Sequence, residues 1–369
     1  MGGMEKTTVY LPDDLKQALR RAARAVQAGD AQVVACIAGD TNHVDSFRLT
    51  LANFSQFARD AVYPYGAGGP NASFAFLTAY YMRLHGARPE DFGKLCVAQR
   101  ANALRYPQAL FKKPLSLEEY LSARPIAEPL RLFDCVMPCA GAEAFLVMSE
   151  ARAKAAGLPC VRLLAAVERH NAFSADPVQL RAGWALERDA LYAQAGYGPE
   201  DMDCMQTYDD YPVITLMQLE DLGFCAKGEG PAFVRRHEFT WDGDFPLNTC
   251  GGQLSAGQAG AAGGFLGMVE AIRQLIKRLI DQGHPISTLA ELDEEALLAR
   301  LNTQRQARLH PATAGLIGPN LLVLEQQQEH SVPGSRLDVR ARWANLDAFV
   351  DERDGVDELD VVILQVPVL

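Results

Sequence analysis

The chain has 369 residues, of which 49% are hydrophobic, 8% aromatic and 22% charged. This is the composition of a globular protein, with enough chain for two core-bearing units of about 150 residues each. The net charge of −11 argues against a general electrostatic attraction to nucleic acid or to anionic lipid.

The sequence predicts neither a membrane span nor a leader peptide. No run approaches the roughly 18 apolar residues that a membrane helix needs, and MGGMEKTTVY at the N-terminus has no apolar stretch typical of a signal peptide. Because export is not expected, we interpret the eight cysteines as reduced, and because they form no CxxC pair we expect no metal site. These features together predict a cytoplasmic protein.

Strand-like and helical segments alternate along the chain. The helix that follows Pro12 can be capped by Asp13 or Asp14 and has apolar residues on one face. The alternation indicates α/β layers. Up to residue 160, we predict strands at 7–11 and 32–40, helices at 72–85, 89–106 and 115–122, and a strand entering a helix at 135–148. Beyond it, we predict strands at 161–167 and 202–209, helices at 179–195, 215–222 and 263–280, and a strand-to-loop unit at 247–252.

A glycine-rich stretch carries the first chemical signal. Six glycines fall between Gly251 and Gly264, directly before the predicted helix at 263–280. Glycine lets the backbone approach a ligand closely, and free N–H groups at the start of a helix can hold a polarised oxygen. The spacing is neither GxGxxG nor a P-loop, so it leaves a ligand site and a tight helix–sheet crossover equally open.

Three segments resemble the thiolase superfamily, in the order in which that family has them. PLNTCGGQLSAGQAGAAGG at 246–264 resembles its NxxGG and GHPxGASG loop. QTYDDYPVITLMQLEDLGFCAKGEG at 206–230 resembles the HDAF segment of the sterol-carrier-protein branch, and KKPLSLEEYLSARPIAEPLRLFDC at 112–135 resembles a third segment of that branch. The resemblance covers residues 18–275. It implies a layered αβαβα fold with an incomplete N-terminal half and an atypical C-terminal segment.

The residues of thiolase catalysis are replaced. Tyr208 stands at the histidine of HDAF, and Gln258 stands at the histidine of GHP. LPDDLK holds no cysteine where the nucleophile is expected, and no cysteine follows Cys250. Without a thiolate and its base there is no acyl-enzyme route, so ordinary thiolytic chemistry is not expected.

The tyrosine variant resembles the side-chain-cleaving aldolases of steroid degradation, which cut a β-hydroxyacyl-CoA without a covalent intermediate. This implies that Tyr208 or Tyr211 takes the hydroxyl proton beside Asp209 or Asp210, although tyrosines packed at a strand end are the alternative interpretation. A further tyrosine of such aldolases has no counterpart, because none follows Tyr211. Backbone N–H groups of the glycine-rich stretch would stabilise the enolate. The expected substrate-binding residues are Asn248, Gly251, Gly252, Gly257, Gln258 and Gly260.

The resemblance divides the chain into four parts. Residues 1–24 resemble a ribbon-helix-helix strand–helix arm, 18–160 a partial N-terminal thiolase half and 161–280 the C-terminal half. Residues 281–369, with an acidic helix at 287–301 and a strand at 320–326, form an unassigned α/β segment. Missing central strands would leave sheet edges for the C-terminal segment, a second subunit or both to cover.

Three functions therefore remain open. The first is an acyl-CoA retro-aldolase, or an acyltransferase of the same superfamily. The second is a non-catalytic subunit that binds a CoA thioester, and the third is a DNA-binding regulator with a thiolase-derived sensor, against which the net charge argues. The resemblance implies a homodimer, a small zinc-ribbon/OB-fold partner protein, an acyl-CoA substrate, and no cofactor besides the coenzyme A of that substrate.

Overall fold

A computed structural model describes residues 7–9, 13–41, 59–67, 69–158, 160–167, 169–281 and 361–366. The helix predicted at 287–301 and the strand predicted at 320–326 lie outside these residues. None of the helices in the described ranges is long and apolar enough to cross a membrane.

The described ranges contain both helices and strands, as the sequence pattern predicts, but several helices or several strands follow one another where strict alternation is expected. The helices are α1 (Asp13–Gln27), α2 (Arg59–Val62), α3 (Pro70–His85), α4 (Pro89–Ala103), α5 (Leu117–Ser122), α6 (Glu150–Ala155), α7 (Trp184–Ala195), α8 (Pro212–Asp221), α9 (Gly230–Arg236), α10 (Gly252–Ala256) and α11 (Gly263–Asp281). The strands are β1 (Thr7–Val9), β2 (Val33–Thr41), β3 (Pro125–Ala127), β4 (Leu130–Arg131), β5 (Ala140–Ser149), β6 (Val161–Arg162), β7 (Cys204–Gln206) and β8 (Val361–Val366).

One antiparallel sheet has the strand order β2-β5-β8-β6. β2 pairs with β5 over nine consecutive residues, from Val33 opposite Met148 to Thr41 opposite Ala140. β8 pairs with β5 on one side and with β6 on the other. A strand from the C-terminal segment therefore covers the edge of β5, while the outer edge of β2 has no strand partner among the described residues.

The described part of residues 1–24 is built into the fold. β1 pairs in parallel with β7, with Thr7 opposite Cys204. Leu19 is 1% exposed. Ala22 and Ala23 follow it by three and four residues, so the three side chains lie on the same face of α1. These side chains share a buried cluster with residues of β5 and α11. The strand and helix that resemble a DNA-binding arm thus serve here as packing elements of the α/β core.

A second buried cluster lies beneath the glycine-rich stretch. It is formed by α3, α4, α8 and α9, with Tyr81, Leu95 and Leu216 fully buried. Leu247 and Leu254, which flank the first glycines of the stretch, belong to the same cluster. Burying a leucine side chain contributes about 2 kcal/mol, so these two residues hold the stretch firmly against the core.

Three predicted elements differ clearly from the structure. The strand predicted at 161–167 covers only Val161–Arg162, and the other two elements differ for local reasons. The predicted unit at 247–252 forms no strand because Asn248, Gly251 and Gly252 have φ angles of 46°, 105° and 60°, which lie in the left-handed region. The helix predicted from residue 179 begins only at Trp184, because Gly183 is its N-cap and the residues before it form a loop.

Candidate active site

A cleft lies where the segment after β7 meets the glycine-rich stretch and the first turns of α11. The cleft is narrow, and all the empty space around its lining atoms, open solvent included, is about 260 Å³. The residues that line it are Gln206, Thr207, Tyr208, Asp209, Asn248, Cys250, Gly252, Gln253, Gly263, Gly264, Leu266 and Gly267. The cleft therefore brings together the two segments that the sequence singles out.

Tyr208 enters this cleft from a fixed backbone. The side-chain amide of Gln218 on α8 accepts a hydrogen bond from the Tyr208 N–H at 3.1 Å and donates one to its carbonyl at 2.8 Å. The Tyr208 side chain is half-buried and forms a hydrogen bond with Asp210. Burial raises the pKa of Asp210 to about 6, and this hydrogen bond opposes the shift by lowering it. Tyr208 and Asp210 thus form a pair that can pass a proton near neutral pH.

Asp209 connects the two walls of the cleft. Its carboxylate accepts hydrogen bonds from the N–H groups of Gln253 at 2.8 Å and Leu254 at 3.2 Å, in the first turn of α10. Burial raises the pKa of Asp209 to about 7, although these two bonds lower it. A Cβ atom on Gly252 would lie 2.1 Å from one Asp209 oxygen, so only glycine fits there.

Asn248 holds the glycine-rich stretch to the segment after β7. Its side-chain oxygen accepts a hydrogen bond from the Thr207 N–H at 2.7 Å, and its side-chain nitrogen donates to Thr207 Oγ1 at 2.9 Å. The Asn248 carbonyl accepts a hydrogen bond from Asn102 on α4 at 3.3 Å. Asn248 lines the cleft, but its amide group is used in joining these segments.

Part of the glycine-rich stretch does not line the cleft. Gly257, Gln258 and Gly260 in this part instead contact the start of β5 and the end of β2. The Gln258 N–H donates to the Met137 carbonyl at 2.9 Å, and the Gln258 carbonyl accepts from Cys139 at 2.9 Å. A Cβ atom on Gly260 would lie 2.1 Å from an Asp40 oxygen. The glycine-rich stretch therefore has two functions: its first half lines the cleft, and its second half joins it to the sheet.

Tyr211 and Gly251 also lie outside the lining of the cleft. The Tyr211 hydroxyl donates to the Asn71 side chain at 2.7 Å, and its ring stacks on Phe74 with 4.2 Å between ring centroids. Burial raises the pKa of Tyr211. Gly251 packs against Ala103, where a Cβ atom on the glycine would lie 2.5 Å from the alanine Cβ. The structure thus brings Tyr208 together with the glycines and places Tyr211 against α3.

Gln206 and Gln253 also line the cleft, and they are 0% and 2% exposed. The sequence motifs do not single out either residue. The strand pattern could have indicated Gln206, because side chains two residues apart in an extended chain point to the same side, as those at 206 and 208 do. Cys250 also lines the cleft, and burial followed by the nearby Glu270 raises its pKa well above the usual range. Its thiol is therefore protonated at neutral pH and is a poor nucleophile.

Comparison with known proteins identifies the family. Residues 165–290 match the family model described as thiolase C-terminal domain-like. A steroid side-chain-cleaving aldolase from Thermomonospora curvata is 34% identical over 271 residues, which cover 69% of this chain and 68% of the aldolase. A benzoylsuccinyl-CoA thiolase subunit, BbsB, from Thauera aromatica is 32% identical over 70% of this chain and 67% of that subunit. The chain belongs to the thiolase superfamily.

Other members of the thiolase superfamily support the same fold. A 17-hydroxy-3-oxo-4-pregnene-20-carboxyl-CoA lyase from Mycobacterium tuberculosis is 38% identical over 224 residues, but these cover 58% of this chain and only 56% of the lyase. The solved structure of the Ltp2-ChsH2(DUF35) aldolase has a TM-score of 0.58 and 30% identity, and the match covers 69% of this chain and 68% of the aldolase chain. The chain thus spans between half and about two thirds of these relatives, and its thiolase-like α/β fold is confirmed.

Proposed function

We propose that this chain is a carbon–carbon lyase that cleaves a β-hydroxyacyl-CoA by a retro-aldol reaction, without a covalent intermediate. The observation that carries the proposal is the hydrogen bond between Tyr208 and Asp210 at a cleft lined by glycines. Two relatives, at 34% and 38% identity, are named an aldolase and a CoA-ester lyase. We therefore propose a steroid side-chain CoA ester as the first substrate class to test.

The proposed proton path runs through Tyr208. Its oxygen takes the proton of the substrate β-hydroxyl while its own hydroxyl proton passes to the Asp210 carboxylate. The resulting alkoxide becomes a carbonyl, the bond between the α and β carbons breaks, and its electron pair forms the enolate of the thioester. The proton on Asp210 then returns through Tyr208 to the α carbon, which releases a shortened acyl-CoA and a ketone or aldehyde.

The enolate oxygen needs hydrogen-bond donors, and many in the glycine-rich stretch are already used. The Gly251 N–H donates to the Asn248 carbonyl at 2.7 Å, and the N–H groups of Gln253 and Leu254 donate to Asp209. The first N–H groups of a helix have no acceptor within the helix. The Gly263 N–H already donates to the Gly260 carbonyl, so the N–H of Gly264, which follows it in α11 and lines the cleft, is the proposed donor to the enolate oxygen.

Cys250 supports a route without an acyl-enzyme. It is the cysteine in the cleft lining, and its raised pKa keeps it as a thiol at neutral pH. A thiol attacks a thioester far more slowly than a thiolate does. We expect Cys250→Ser to keep the lyase activity and iodoacetamide to leave it unchanged, whereas loss of activity in both experiments would support a covalent mechanism instead.

The decisive experiment incubates the purified full chain with 17-hydroxy-3-oxo-4-pregnene-20-carboxyl-CoA, which is a β-hydroxyacyl-CoA. Mass spectrometry should detect a shortened acyl-CoA and a steroid ketone in equal amounts, and Tyr208→Phe should abolish both. Saturable binding without product would favour the non-catalytic CoA-thioester subunit. A salt-sensitive shift of labelled duplex DNA would be needed to support the regulator.

We also propose that the active form is an assembly. The solved aldolase carries two components in its name, one of them a DUF35 protein. The outer edge of β2 has no strand partner among the described residues, and Ile37 on that strand is 56% exposed. A homodimer, a zinc-ribbon/OB-fold partner of the DUF35 type, or both would cover such surfaces. Sedimentation of the chain alone and after co-expression with a DUF35 protein tests this proposal.

A further inference from the structure

Two glutamine side chains present buried oxygen atoms to the cleft. Gln206 is 0% exposed and Gln253 is 2% exposed, and both line the cleft. The Oε1 atom of each is buried and has no hydrogen-bond partner among the described residues. Because an unpaired buried amide oxygen is unfavourable, a donor that enters the cleft and reaches either atom would gain a hydrogen bond and remove that cost.

The contacts of Gln206 fix which of its two amide atoms is left without a partner. Its Nε2 donates to Thr249 Oγ1 at 3.1 Å, and Thr249 donates its own hydroxyl proton to Glu270. Arg273 donates two hydrogen bonds to the Glu270 carboxylate, at 2.7 and 2.8 Å, an arrangement typical of an ionised group. Thr249 can therefore only accept from Gln206, so the amide cannot turn over and its oxygen remains the atom available to a donor.

Gln253 is held through its backbone. Its N–H donates to Asp209 at 2.8 Å, which fixes the start of its side chain. The Oε1 atom lies beside Gly263, where an added Cβ atom would approach it to 2.4 Å. Because Gly263 at the start of α11 has no side chain, it leaves room for this oxygen in the cleft wall.

We infer that Gln206 and Gln253 form a subsite that recognises a hydrogen-bond donor of the bound CoA thioester. The donor is either a hydroxyl of the acyl group or an amide N–H of the pantetheine arm. This inference rests on the proposed function, which supplies the thioester as ligand. A site whose buried acceptors need a donor discriminates against an analogue that lacks one, because the acceptors then stay unpaired.

The test compares three probes: 3-hydroxybutyryl-CoA, butyryl-CoA and free coenzyme A. Their binding to the full chain is measured by isothermal titration calorimetry in a Tyr208→Phe background, where the proposed cleavage cannot occur. Gln253→Leu is the principal variant, because its amide oxygen has no hydrogen-bond partner to lose among the residues that the structure describes, and Gln206→Leu is the second. Gln99→Leu is the matched control, since Gln99 is 1% exposed, has both amide atoms unpartnered and does not line the cleft.

We expect Gln253→Leu and Gln206→Leu to weaken binding about three- to tenfold, and Gln99→Leu to leave it unchanged. Weakening confined to 3-hydroxybutyryl-CoA assigns the donor to the acyl hydroxyl, whereas equal weakening for all three probes assigns it to pantetheine. If the parent binds the probes and all three glutamine variants bind equally well, the inference is overturned while the proposed function stands. A parent that binds none of the probes overturns the inference, while the proposed function is decided separately by the incubation with the steroid CoA ester.

Discussion

Asp209 accepts a hydrogen bond from the backbone N–H of Gln253 at 2.8 Å, across the cleft that separates the segment after β7 from α10. Its second oxygen accepts from Leu254 at 3.2 Å. These bonds fix the distance between Tyr208 and the glycine-rich stretch. Asp209 therefore acts as a positioning residue, whereas its neighbour Asp210 contacts the tyrosine.

We expect Asp209→Ala to destabilise the protein by about 2–4 kcal/mol, because two buried N–H groups lose their acceptor. Urea unfolding followed by circular dichroism measures this. Asp201→Ala is the control, since Asp201 is an exposed carboxylate that accepts one backbone hydrogen bond, from Gly198 at 2.8 Å. Equal losses for the two variants would contradict the bridging role of Asp209.

Tyr208→Phe and Tyr211→Phe remove the same atom from two different environments. We expect Tyr208→Phe to lower the proposed lyase kcat by a factor of about 10² or more. Tyr211→Phe should leave kcat nearly unchanged and cost about 1 kcal/mol of stability, because its hydroxyl donates to Asn71 rather than to the cleft. Steady-state kinetics together with unfolding curves distinguishes them, and a large kcat loss for Tyr211→Phe would assign it the catalytic role.

The proposed lyase activity should rise with pH through about 6. Asp210 must be ionised to accept the proton of Tyr208, and burial raises its pKa to about 6, so the active form accumulates above that pH. The measurement is kcat/KM from pH 5 to 8. Asp210→Asn should lose most of the activity together with this acidic limb, and an unchanged limb in the variant would show that another group titrates.

Asp210→Asn should also gain stability relative to the parent as the pH rises. In the parent, the folded-state pKa of about 6 lies above the ordinary aspartate value of 3.8, so the folded state binds the proton more tightly. The parent therefore loses stability as pH rises from about 4 to about 6, and stays at the lower level above it. The neutral amide has no such loss. Thermal unfolding at pH 4 and pH 8 should show a relative gain of about 1–3 kcal/mol at the higher pH; an equal difference at both values would contradict the shift.

Gly252→Ala should be far more damaging than Gly86→Ala. Both glycines have positive φ angles, 60° and 67°, so both variants lose about 1 kcal/mol from backbone strain. An added Cβ at Gly86 meets nothing within 4 Å, whereas at Gly252 it lies 2.1 Å from an Asp209 oxygen. We expect an additional loss of about 2 kcal/mol or more at Gly252 from this overlap. Chemical denaturation of the two variants is the measurement, and similar midpoints would mean that the Asp209 contact gives way easily.

The sequence predicts those parts of the fold and site that depend on short-range chemistry. The glycine-rich stretch lines the cleft in part because glycines permit the positive φ angles at Gly251 and Gly252. Tyr208 is singled out by the resemblance of residues 206–230 to the HDAF segment, and it lies in the lining of the cleft. The helices α3, α4 and α11 begin or end within a few residues of their predicted boundaries, because Pro, Gly and apolar periodicity set them locally.

What the sequence does not predict depends on distant partners. Tyr208 and Tyr211 carry the same side chain in one tetrapeptide, and only the packing of α3, 140 residues away, directs Tyr211 to Asn71. Gln258 replaces a histidine of the thiolase pattern, yet its backbone pairs with Met137 and Cys139 outside the cleft. A local pattern contains no information about such pairings.

The position of β8 imposes an order of events on biosynthesis. This strand lies between β5 and β6, and its residues, 361–366, leave the ribosome long after both neighbours. Until then β5 presents an unpaired edge containing Phe145, Leu146 and Val147 to other nascent chains. The sheet can therefore be completed only after residues 361–366 have been translated. A translation product that stops before residue 361 would keep an unpaired β5 edge that can pair with other chains.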